Sequence, residues 1–145
     1  MKPGHFIILL IEDEDSDIFL LQRAAQKSGA GHSLYPVHDG EEAICYLRGQ
    51  GQYGDRSRFP LPNVVLTDLK MPRLDGFGFL RWLRENPECS IIPIIVCSNS
   101  GMESDVREAY RLGANAYFKK PYEVDQLIEL LRAAYDFWSR CECPP

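Results

Sequence analysis

Three carboxylates, a hydroxyl and an ammonium stand at the same kind of place in this chain, just past a short apolar run. Glu12 and Asp13 follow Phe6–Ile11, Asp68 ends the run that begins at Val64, Ser98 ends the run Ile91–Cys97, and Lys120 follows Ala116–Phe118. Three carboxylates brought together repel, and one is driven towards protonation. A divalent cation removes that conflict. Oxygen-only ligands suit a hard cation, and a few carboxylates plus water suit Mg²⁺, with Mn²⁺ as the alternative occupant. Mg²⁺ commonly also holds phosphate, so the set points to phosphoryl transfer, where a protein supplies positioning and charge neutralisation. In that chemistry Asp68 is a carboxylate nucleophile forming an aspartyl phosphate. Lys120 pairs with the phosphoryl oxygens and the Ser98 hydroxyl donates to them. Each residue also has a plainer role: acids favour helix starts, and a lone Asp after a strand commonly caps or turns. Convergence of all of them separates the two readings.

They converge only if the apolar runs lie side by side. Phe6–Ile11 is continuous and apolar, as in a strand buried on both faces. A helical pattern follows from about Ser16 to Ser28, with Ile18, Leu21 and Ala25 on one face, Ser16 as cap and Gly29 past its end. Leu34–Val37 is a weaker strand, and Pro36 assigns it to a sheet edge. Asp39 and Glu42 have the side chains of a capping box for a helix to about Arg48. Val64–Leu66 is the third strand and Asp75–Arg84 a helix. Ile91–Cys97 is the fourth strand, its ladder starting at Pro93. Glu103–Leu112 is a helix, Ala116–Phe118 the fifth strand, and Glu123–Ser139 a last helix with Leu127, Leu130, Leu131, Ala134 and Phe137/Trp138 facing inward. Strand and helix thus alternate five times. That predicts an α/β, doubly wound five-stranded parallel sheet with helices on both faces. Its expected strand order is the flavodoxin-like 2-1-3-4-5, in which ligands bind beyond the carboxyl ends of the strands. Residues 49–63 show no period and read as a long surface insertion.

The chain has 145 residues, the size of one domain, with its core at about 6–139 and a tail at 140–145. It carries 16 Lys+Arg against 21 Asp+Glu, a net charge of −5, which argues against a nucleic-acid partner. The longest apolar run is far short of the ~20 residues a bilayer needs. It also ends in Glu12-Asp13-Glu14-Asp15 with no small-residue cleavage site, so it is no secretion signal. No membrane association and a cytoplasmic location are expected. Of the five cysteines, Cys45 and Cys97 sit in apolar patterns and read as reduced core residues, while Cys141-Glu142-Cys143 lacks the further ligands of a zinc site.

Four segments together, Ile8-Leu-Leu-Ile-Glu-Asp-Glu-Asp15, Val64-Val-Leu-Thr-Asp-Leu-Lys-Met-Pro72 with Leu74-Asp-Gly76, Ile94-Ile-Val-Cys-Ser98 and Gly113-Ala-Asn-Ala-Tyr-Phe-Lys-Lys-Pro121, resemble the receiver domains of two-component response regulators. The resemblance covers about Phe6 to Leu131. It implies that Asp68 is the phosphoacceptor, that Glu12 and Asp13 hold Mg²⁺ with Asp68, and that the backbone carbonyl of Lys70 completes the protein ligands. Ser98 and Lys120 match the residues that act on the phosphoryl group, Ser98 and Tyr117 the switch pair, and Pro121 a position where receivers commonly have a cis peptide. Asn99 departs from the small residue many receivers carry there, which bears on dephosphorylation.

Tyr46-Leu-Arg-Gly-Gln-Gly-Gln-Tyr53 and the extended loop to Asn63 look like the stand-alone regulators paired with bacterial phytochrome kinases. The resemblance therefore implies a sensor histidine kinase as partner, a separate downstream protein, and a conformational switch transmitted to the face of the fourth helix, fifth strand and fifth helix. It also implies a homodimer through the last helix and tail, for which Tyr135, Phe137, Trp138 and Cys141 are available. Only Arg140–Pro145 follow the last helix, so a separate effector domain is not expected. On this reading the protein is no enzyme beyond its own phosphorylation and dephosphorylation. Two other classes are weaker. A metal-dependent phosphohydrolase with an Asp nucleophile often places a second Asp two residues on, where this chain has Lys70. A flavodoxin needs a phosphate-cradling loop after strand 1, where Glu12–Asp15 repel phosphate.

Overall fold

A computed structural model describes residues 6–29 and 32–142. The elements run β1 (Phe6–Ile11), α1 (Asp15–Ser28), β2 (His32–Val37), α2 (Gly40–Arg48), β3 (Val64–Thr67), α3 (Gly76–Glu85), β4 (Ile94–Ser98), α4 (Glu103–Arg111), β5 (Ala116–Lys119) and α5 (Val124–Ser139). The strands form one parallel sheet in the order β2-β1-β3-β4-β5, as expected. Strand alternation divides the core. Leu9, Ile11, Val65 and Val96 face α2, α3 and α4, whereas Ile8, Leu10, Leu66 and Ile95 face α1 and α5. All six residues of β1 are buried, as a strand covered on both faces requires. Pro36 pairs in register with Leu10 on the edge strand, where its missing N–H leaves no central ladder broken.

Several boundaries differ from the sequence reading. α1 begins at Asp15, after Glu14, so Ser16 lies inside the first turn and does not cap it; Asp15 and Asp17 supply the acids that the helix dipole favours there. β4 begins at Ile94, because Pro93 lacks the ladder N–H, and Ile91 is exposed. The Asp39 side chain accepts from the Glu42 N–H at 2.9 Å, but Glu42 returns its bond to the His38 N–H, one residue before the cap. On α5, Leu127, Leu130, Leu131 and Ala134 are buried as expected; Phe137 instead faces solvent and stacks edge-on against Trp138. Tyr135 is half-buried, with its ring edge-on to Phe6 and His32. Cys45, Cys89 and Cys97 are free thiols, and Cys143 lies outside the described residues.

Residues 49–63 are not a loose insertion. Gly49 ends α2 in the left-handed conformation, φ 67°, which a residue with a Cβ adopts only at a cost. A single 3₁₀ turn, Gly51–Gly54, then buries Tyr53 against Tyr46 and Phe59, with ring centroids 5.0 Å apart in each case. Arg56 donates to the carbonyls of Tyr46 at 2.8 Å and Leu47 at 2.9 Å, and so ties the end of α2 to this segment. The segment forms a small aromatic annex to the core.

Candidate functional site

The ladders continue one step past the strand ends and place the site residues. The Glu12 N–H donates to Val37 O at 3.0 Å, Asp68 N–H to Ile11 O at 3.1 Å and Lys120 N–H to Ser98 O at 2.7 Å. The first residues beyond β1, β3 and β5 are thereby fixed by the sheet itself, and Ser98 is the last residue of β4. Gly76 brings α3 up against this edge: its N–H donates to Leu69 O at 2.8 Å, and a Cβ there would press on the Asp68 carbonyl and stand 2.7 Å from Leu69 Cα.

The centre of the site is the Lys120 ammonium. It lies 2.8 Å from Glu12 Oε2, 3.1 Å from Asp68 Oδ2 and 3.0 Å from Asp17 Oδ2. Burial pulls the ammonium towards losing its proton, but hydrogen bonds to Glu12 and Asp17 and the charges of Glu12 and Asp68 outweigh this and hold it above its ordinary value. Burial acts the other way on its partner. It raises the Glu12 carboxyl to about 7, against the pull of the Lys120 hydrogen bond and charge. The second oxygen of Asp68 accepts the Leu69 N–H at 2.7 Å, so the side chain is held at both oxygens at the floor of an open cleft of about 510 Å³.

Carboxylate oxygens of Glu12, Asp13 and Asp68 lie within 4.8 Å of one another. The donors are all carboxylate oxygens, and a hard divalent cation fits that set. Lys70 and Asn99 line the same cleft. Ser98 is buried at its base, and its hydroxyl oxygen accepts the Ser100 N–H at 3.2 Å. Tyr117, on β5, donates its hydroxyl to Ser100 O at 2.7 Å. The expected residues therefore gather at one edge. The Lys120–Pro121 bond, at the position where receivers commonly have a cis peptide, is trans, the ordinary preference of an X–Pro bond.

The sequence pattern of one family, the response regulator receiver domain, matches residues 8–132. The chain belongs to that family. It is 34% identical over 132 residues to response regulator Rcp1 of Synechocystis sp. strain PCC 6803, an alignment that covers 91% of this chain and 88% of Rcp1. The crystal structure of the phosphorylated cyanobacterial phytochrome response regulator RcpA superposes with a TM-score of 0.86 at 34% identity, covering 97% of this chain and 99% of that one. The Mn²⁺-bound form of Rcp1 gives a TM-score of 0.81 at 33% identity over 97% and 99% of the two chains. The receiver is thus a response regulator of two-component signalling, with the fold that the strand and helix order predicted.

Sequence reasoning missed two residues of this site. Asp17 is the third acceptor of Lys120, and Asp105 takes the Ser100 hydroxyl at 2.6 Å. Asp17 was visible only as part of an acidic helix start; its role depends on how α1 lies against β5, 103 residues away in the chain. Among the described residues no helix is long and apolar enough to cross a membrane.

Proposed function

We propose that this receiver accepts a phosphoryl group on Asp68 from a sensor histidine kinase of the phytochrome class and switches conformation to act on a separate protein. The observation that carries the reading is Asp68 itself: one oxygen held by a backbone N–H, the other by Lys120, at the floor of a cleft open to solvent. The similar RcpA is a phytochrome response regulator crystallised in its phosphorylated form, which supports both the modification and the kinase class.

Mg²⁺, with Mn²⁺ as substitute, is the proposed cofactor, held by Glu12, Asp13, Asp68 and the Lys70 carbonyl; when bound it screens the charge of the incoming phosphoryl oxygens. The Mn²⁺-bound form of Rcp1 supports this choice. The chain's own groups do the rest. Leu69 N–H and Lys120 fix the Asp68 carboxylate, Lys120 transfers a hydrogen bond from Asp68 to the phosphoryl group, and Ser98 turns its hydroxyl towards that group. Turning Ser98 changes its bond with Ser100 N–H, and Ser100 also holds Tyr117. Phe118 and Tyr110 are exposed on the adjoining face, where a downstream partner would sense the change. Exposed Phe137 on α5 supports homodimerisation through the last helix and tail.

The test is incubation with acetyl phosphate and Mg²⁺, followed by mass spectrometry of the acyl-phosphate adduct. An adduct on the wild type that is absent from Asp68→Ala is expected; an adduct that survives the substitution sinks the assignment. Profiling transfer from histidine kinases identifies the donor, and sedimentation of Phe137→Ala tests the dimer.

A further inference from the structure

Lys120 has three N–H donors and no acceptor. Its three near neighbours, Glu12 Oε2, Asp17 Oδ2 and Asp68 Oδ2, use all of them. Two of these carboxylates belong with Asp13 to the group that can hold a cation; Asp17 does not. Asp17 comes from the first turn of α1 and lines the same cleft, with its side chain 31% exposed.

We infer that Asp17 is a positioning residue for phosphoryl transfer, tethering the Lys120 ammonium while its other acceptors change. The inference rests on Asp68 as phosphoacceptor. In transfer from acetyl phosphate, a lone pair of one Asp68 oxygen forms the new P–O bond. The bond from phosphorus to the acetate oxygen breaks, and its electron pair leaves with acetate. Asp68 becomes a neutral acyl group and loses most of its strength as an acceptor. The donor that it releases has to find a phosphoryl oxygen. Lysine presents its charge on a flexible four-carbon stem, which by itself does not direct that exchange. Glu12 would be shared with the cation. Asp17 is neither the reacting group nor part of the carboxylate cluster and keeps its bond to Nζ from beginning to end, so the ammonium pivots on it and only one donor is reassigned.

The experiment uses the full chain with Asp17→Ala and Asp17→Asn, each in the wild-type and Lys120→Ala backgrounds, with thermal melts to show that each is folded. Acyl-phosphate formation from acetyl phosphate is timed at saturating Mg²⁺, and the ¹⁵N-edited NMR signal of the Lys120 ammonium is recorded separately in chelator. Asp17→Ala should slow phosphorylation by about tenfold, the scale of one hydrogen bond between charged groups. Asp17→Asn should recover part of that rate, because its amide oxygen still accepts. Neither should slow the Lys120→Ala protein further, since Asp17 acts through Lys120. The ammonium signal should be observable in the wild type and lost by rapid exchange in Asp17→Ala. Equal slowing in both backgrounds, or an ammonium signal unchanged by Asp17→Ala, overturns the tether. Absence of any adduct on the wild type overturns the Asp68 reading instead, and the NMR signal then still decides whether Asp17 holds Lys120.

Discussion

The Tyr117 hydroxyl donates to the Ser100 carbonyl at 2.7 Å, across 17 residues of chain. Ser100 is bound at every polar group it has: its N–H donates to Ser98 Oγ, and its own hydroxyl donates to Asp105 and accepts the Met102 N–H. One loop residue therefore joins the base of the cleft, strand β5 and the first turn of α4. Asp105→Ala should release this loop at a cost of about 0.5–1.5 kcal/mol. Hydrogen exchange should show the Met102 amide losing protection, while amides of β1 remain unchanged.

Removing an acid should stabilise the metal-free protein, but not at every position. Asp68 is paired with Lys120, so Asp68→Asn gives up an attraction as well as a repulsion. Asp13 belongs to the same carboxylate cluster and has no ion pair with Lys120, so Asp13→Asn is the cleaner test. Relief of about 1 kcal/mol of repulsion should raise its melting temperature in chelator by roughly 2–4 °C. Mg²⁺ should raise the melting temperature of the wild type by mass action and leave Asp13→Asn nearly unchanged. A lower melting temperature for Asp13→Asn in chelator would show that Asp13 serves the helix start instead.

Alkaline pH should open the aromatic annex first. Burial, followed by the hydrogen bond to Glu42, pushes the Tyr53 phenol up to about 12, and burial also holds Tyr46 above its ordinary value of 10.0. A phenol whose folded value is raised favours the fold fully below the unfolded value of about 10, and that contribution is lost as pH rises through about 12. Ultraviolet titration of phenolate should show Tyr46 and Tyr53 ionising late, together with unfolding. Tyr53→Phe should remove one late phenol and cost about 0.5–1.5 kcal/mol by losing the bond to Glu42 Oε1.

Arg84 fastens three segments at the amino edge of the sheet. Its guanidinium donates to the carbonyls of Ser90, Ile92 and Gly113 and to Asn115 Oδ1. Arg84→Met keeps the stem and removes the donors, leaving partly buried carbonyls unpaired. Denaturant unfolding should show a loss of about 2–3 kcal/mol, with phosphorylation by acetyl phosphate unaffected.

The sheet order was legible because each strand of the core is a short apolar run followed by its chemistry, as at Ile11-Glu12 and Thr67-Asp68. Lys120 was legible for the same reason. Asp17 was not, because a helix-start acid looks the same whether it meets solvent or an ammonium from the far end of the chain. The 49–63 segment was opaque for another reason. Tyr53 and Phe59 pack against Tyr46 from a short turn and from a residue outside any helix or strand, so their burial follows no helical or strand period. Phe137 was misplaced because helical spacing puts it beside the inward stripe, and Trp138 takes the inward place.

The bonds of Lys120 join residues separated by 52, 103 and 108 positions. During synthesis, Glu12, Asp13, Asp17 and Asp68 all leave the ribosome well before the lysine that holds three of them. Contacts so distant in sequence form late, since the intervening chain must be closed before they contribute. An unfinished or unfolded polypeptide thus carries the acids without their clasp, and phosphorylation at the full rate becomes a certificate that the fifth strand has docked.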